Sequence, residues 1–107
     1  MSKISLLADI EFSGEHNMKN LLTTPNFNVA RVCIPKGVVV PSHPEPNGTF
    51  FIVLQGSGIF SKGEETFELH QNDSLFIEAN QNRGITCLEN LVFLGIRDLD
   101  PENCTEE

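Results

Sequence analysis

From Asn17 onward turn-forming residues cut the chain into short pieces, and this punctuation limits the possible folds more than any other feature. It falls at Thr24-Pro25-Asn26, Pro35-Lys36-Gly37, Pro41 to Gly48, Gly56, Lys62-Gly63, Gln71 to Asp73 and Asn80 to Asn82. The segments left between are 17–23, 26–34, 49–55, 57–62, 65–70, 74–78, 84–88 and 91–96. Each has the length of a strand and is too short for a core helix. Strands at regular spacing, separated by Gly, Pro and Asn, predict an all-β sandwich or barrel. Helix signals are confined to 100–106, where Pro101 stands at a first helical position and one terminal turn is expected. No internal repeat is visible, and 107 residues make a single domain. A domain of that size buries enough surface to fold without disulfide or metal staples.

Charge divides the chain. Of the net −8, Asp98, Asp100, Glu102, Glu106 and Glu107 supply −5, leaving −3 for residues 1–97. The expected organisation is an N-terminal arm at 1–25, a barrel core at 26–97 and an acidic tail at 98–107. The seven basic residues are scattered, and Trp and Tyr are absent. That combination lacks both the cationic stripe and the stacking platforms of a nucleic-acid surface. The longest unbroken apolar run, Phe50 to Leu54, is far short of the ~20 residues that cross a bilayer. The first ten residues do not read as a signal peptide. Cys33, Cys87 and Cys104 are odd in number with no CxxC spacing, which fits reduced thiols. Together these features lead to an expectation of a cytoplasmic protein with neither membrane nor nucleic-acid partners.

The run from Gly37 to Gly56, GVVVPSHPEPNGTFFIVLQG, keeps a particular spacing. Five residues separate Gly37 from His43, one separates His43 from Glu45, three lead to Thr49 and six more to Gly56. This resembles the first signature of the cupin superfamily, G(x)5HxH(x)3–4E(x)6G. His43 stands at the first histidine, Glu45 at the second and Thr49 at the glutamate. A second stretch, NDSLFIEANQNRGITC, is similar in spacing to the second cupin signature, with Arg83 at its histidine and Cys87 at its final asparagine. The resemblance spans about 26–96. It implies a double-stranded β-helix, the jelly-roll cupin barrel.

In metal-bearing cupins the four positions matching His43, Glu45, Thr49 and Arg83 converge on a divalent ion. Imidazole and carboxylate suit such an ion. Thr49 is a poor ligand, and the Arg83 guanidinium has no lone pair to offer. The resemblance therefore implies a mouth without a complete metal site and no cofactor. The alternative is a divalent transition metal held through His43 and Glu45, serving an oxygenase or lyase. In the favoured reading Arg83 anchors a small anion, most simply a carboxylate. His43 transfers a proton and Glu45 orients the imidazole, so these two are the candidate catalytic residues. Thr49, Gln55 and Cys87 complete the candidate ligand-binding set. Cys87 also reads as a structural thiol, and His70 and His16 as residues without an assigned role. Alternation puts Ala30, Val32 and Ile34 on the core face and leaves Arg31 outside.

Thr49 pointing inward carries Phe51, Val53 and Gln55 with it, leaving Phe50, Ile52 and Leu54 on the outer face. Those three need cover, from a second subunit in a homodimer or from the N-terminal segment. The functional expectation is a small-molecule-binding cupin, acting as a metal-independent isomerase, cyclase or lyase. A non-enzymatic sensor or oligomerisation module is the remaining alternative. Whether a reaction is catalysed stays open at this level.

Overall fold

A computed structural model describes residues 3–99. The expected turn at 100–106, and Cys104 with it, lie outside the described residues. Those that are described form seven strands and no helix: β1 (Asn17–Thr23), β2 (Phe27–Ile34), β3 (Val39–Pro44), β4 (Thr49–Lys62), β5 (Glu65–Leu69), β6 (Ser74–Ile77) and β7 (Asn82–Asp98). No helix of the described residues is long and apolar enough to cross a membrane. The strands run β1-β2-β7-β4-β5, with β3 added to β7 and β6 to β4, every pairing antiparallel. This is the all-β barrel that the strand spacing predicts, in the jelly-roll form that the resemblance implies. The strand β1 falls within the segment read as an arm, and pairs with β2 from Asn17↔Cys33 to Thr23↔Asn28.

Two strands are longer than the punctuation suggests. Gly56 does not end a strand at a turn, as its position implied; β4 runs through it for 14 residues. Gly56 takes φ +81°, and the β4–β7 register shifts at Gln55, Ser57 and Gly58. The glycine therefore permits a bulge that bends the strand. Gly37, by contrast, does sit in a turn, with φ +88° between β2 and β3.

Pro41 and Pro44 cannot donate ladder hydrogen bonds, which is why the stretch from Pro41 reads as a loop in the sequence. Residues 39–44 are nevertheless a strand. Pro41 lies in the irregular stretch between Val40 and His43, and Pro44 is the last residue, the positions where a missing N–H is tolerated.

The long ladder closes the barrel. It pairs Thr49 with Arg97 at one end and Lys62 with Arg83 at the other. Yet Arg83 Nη1 donates to Thr49 Oγ1 at 2.9 Å, so the ladder curls until its ends meet. Inside it, Ile34, Val53, Phe60, Ile77 and Leu91 are essentially sealed from solvent. Phe60 packs against Phe51 and Phe93 with ring centroids 5.5 and 5.3 Å away, tilted and edge-on. Outside the barrel, the buried Arg31 donates to the carbonyl oxygens of Leu6 (3.1 Å), Ala8 (2.6 Å) and Asp9 (3.5 Å), holding the N-terminal segment down.

Candidate functional site at the barrel mouth

A cavity of about 310 Å³ opens at one end of the barrel. Its floor is apolar, built by Phe51, Phe60 and Phe93 with Ile34 and Ile77, and its polar wall carries His43, Glu45, Thr49 and Arg83. The four residues that the resemblance placed at one point thus share one cavity. Ala30, Val32 and Ile34 also face it, while Arg31 does not.

Local irregularity aims His43. Between Val40 and His43 the strand advances three residues while its partner retreats two, from Ile85 to Arg83. The extra residue flips the alternation, so Val40 and His43 face the cavity together. His43 is the register partner of Arg83, and cross-strand partners share a face. The loop that follows is tied down by its backbone: Asn80 N–H donates to Glu45 O at 2.6 Å and Asp98 N–H to Gly48 O at 3.0 Å.

His43 Nδ1 lies 3.1 Å from Glu45 Oε2. That contact makes Nδ1 the protonated nitrogen of a neutral ring and leaves Nε2 with its lone pair. Arg83 is only 7% exposed. It donates from Nη1 to Thr49 Oγ1, from Nη2 to Glu78 O at 2.8 Å and from Nε to Gln81 O at 3.4 Å. A guanidinium has five N–H donors, so two remain among the described residues. Burial lowers its pKa from the usual arginine value, and the Glu45 charge opposes that shift. The group stays cationic at any ordinary pH.

Gln55 and Cys87 do not line the cavity. For Gln55 the reason is the bulge, which shifts register between Val53 and Gln55 and ends the inward alternation. Cys87 is buried in the hydrophobic core. Its Sγ lies 3.3 Å from Ile34 O and 3.1 Å from Glu89 O. Burial pushes the thiol pKa up, with the Glu89 charge adding to the effect, which suits an unreactive thiol.

Among the wall residues that carried no sequence assignment are two that can be charged, His16 and Arg97. Arg97 was legible in principle, since Phe93, Gly95 and Arg97 alternate on the inward face of β7. His16 precedes β1 and has no periodic signal.

The donor set does not fit a divalent ion. Among the described residues no group of three or more His, Cys, Asp or Glu side chains is arranged to hold one. His43 and Glu45 engage each other, and a fixed cation shares their cavity.

The profile of the family described as "Cupin domain" matches residues 30–96, and the chain belongs to that family. No curated protein matches its sequence. Among solved structures it is similar to TT1209 from Thermus thermophilus, at 14% identity and TM-score 0.84, over 92% of this chain and 97% of that one. An RmlC-like cupin from Desulfovibrio desulfuricans aligns at 20% identity and TM-score 0.79, over 91% and 96%. The DMSP lyase DddQ from Ruegeria pomeroyi aligns at 16% identity and TM-score 0.74, over 78% of this chain and 47% of that one. At these identities the likeness is one of fold.

Proposed function

We propose that this cupin binds a small anionic molecule, most simply a carboxylate, through Arg83 instead of through a metal ion. The observation that carries this reading is the buried guanidinium, pinned by Thr49 and Glu78 with two donors left. A forked donor pair matches the geometry of a carboxylate. His43 and Glu45 stand beside it, and His43 Nε2 is the atom that would take a proton from the bound molecule or return it. Glu45, in contact with Nδ1, fixes the orientation of the ring. This arrangement suits a metal-independent isomerase, cyclase or lyase acting next to a carboxylate.

Small carboxylates are expected to raise the melting temperature of the wild-type protein. Arg83→Ala should weaken their binding by about ten- to a hundredfold, the range for losing a hydrogen bond to a charged group. Equal thermal shifts in both proteins would overturn the reading.

We also propose a homodimer through the outer face of β4 and β6. Phe50 and Phe76 are register partners there, exposed at 38% and 48%. Ile52 and Leu54 beside them are half-buried. Adjacent exposed aromatic rings are a natural contact with a second copy. Wild-type protein should sediment as a dimer at micromolar concentration, and Phe50→Glu with Phe76→Glu as a monomer. A monomeric wild type would refute the proposal.

A further inference from the structure

Arg97 is a second cation on the cavity wall, with no part in the anchoring described above. It follows Phe93 and Gly95 on β7 and is the register partner of Thr49, whose hydroxyl accepts from Arg83. The two arginines, at opposite ends of one strand, are thus both brought to a single threonine on the wall of one cavity.

Arg83 is well supplied with acceptors, whereas Arg97 has none among the described residues. Its Nε is buried and lacks a hydrogen-bond partner, and its side chain makes no hydrogen bond or ion pair with any described residue. A buried donor left unmade is costly, and an arriving acceptor removes that cost. Glu45 is the single carboxylate on the cavity wall among the described residues, and it is engaged with His43. Two guanidiniums therefore face one carboxylate, in a chain whose net charge is −8. The protein as a whole repels anions while this mouth attracts them. Between the polar wall and the barrel interior lies the apolar floor of Phe51 and Phe93, whose rings meet edge-on at 5.6 Å.

We propose that the ligand is a small dicarboxylate with an apolar body. One carboxylate pairs with Arg83 and the second with Arg97, while the hydrocarbon part lies over the phenylalanine floor. The inference rests on the anion-anchoring role of Arg83. A cavity of about 310 Å³ is at the small end of the ~300–1,000 Å³ typical of ligand sites, which suits a molecule of this size.

Phthalate and benzoate share a ring and differ by one carboxylate, so calorimetry with both isolates the second contact. Wild-type protein is expected to bind phthalate about tenfold or more tightly than benzoate. Arg97→Met should bring phthalate down to the level of benzoate and leave benzoate unchanged, while Arg83→Met should weaken both. Arg97→Lys, which keeps the charge and loses the fork, should retain part of the preference and separates recognition from any folding defect of the Met variant. If Arg97→Met affects both ligands equally, or neither, the two-point site is wrong and the Arg83 anchor stands. If neither ligand depends on Arg83, the anchor fails and the two-point site fails with it. Phenyl phosphate outbinding phthalate in an Arg97-dependent way would assign a single phosphate to both arginines and overturn the dicarboxylate.

Discussion

Gly56→Ala is expected to lower folding stability by about 3–5 kcal/mol, more than a left-handed backbone alone accounts for. Two costs act together. The residue holds φ +81°, and a Cβ there would collide with the carbonyl of Asn90 and sit 3.0 Å from Glu89 O. The obstacle is the backbone of β7, which cannot swing aside as a flexible side chain does. Gly37 supplies the comparison. Its φ is +88°, yet a Cβ would meet nothing within 4 Å, so Gly37→Ala should cost only the conformational penalty of about 1–2 kcal/mol. Urea midpoints at constant m-value measure both. Equal losses at the two glycines would show that crowding at the bulge is not what demands glycine.

Phe60→Ala should cost about 3–5 kcal/mol, the range for deleting a buried aromatic ring. Phe60 is 1% exposed and touches both other rings of the floor, so truncation removes two aromatic contacts and leaves a void beneath the cavity. Phe60→Leu should recover roughly half of the loss by refilling most of that volume. Phe76→Ala, at an exposed ring, should fall within about 0.5 kcal/mol of wild type at concentrations where the protein is monomeric. Thermal and urea unfolding give the ranking. A loss at Phe60 no larger than at Phe76 would mean that the three-ring floor does not hold the barrel together.

Sequence spacing made the fold and the four mouth positions legible because both depend on turn chemistry and residue counting, which local sequence carries. Alternation also sorted Phe51 and Val53 inward and Phe50 outward, up to the point where the strand stays regular. It failed at Gln55 because one inserted residue reverses a face, and nothing at Gln55 itself announces the insertion. Cys87 exposes a different limit. No register shift separates it from Arg83 on β7, so the two do share a face. Four residues of strand, however, span roughly 13 Å, and that distance carries Cys87 past the floor. Alternation gives direction and not depth. Arg97 went unassigned because the last segment read from the sequence ends at 96, one residue short of it, whereas β7 runs on to Asp98; its missing acceptor has no signature in a linear sequence. The strand at 39–44 was hidden by its prolines, whose tolerance depends on a bulge and a strand end that only the paired sheet defines.

The grip of Arg31 on the N-terminal segment has a consequence of its own. All three acceptors, on Leu6, Ala8 and Asp9, are main-chain carbonyls, which every amino acid carries. The clasp therefore reads backbone and not side chains: what it asks of 6–9 is the shape of the turn, including the left-handed φ of +59° at Asp9, whereas one change at Arg31 releases all three tethers at once. The fastening of a whole segment is written in a single side chain at the far end of the contact.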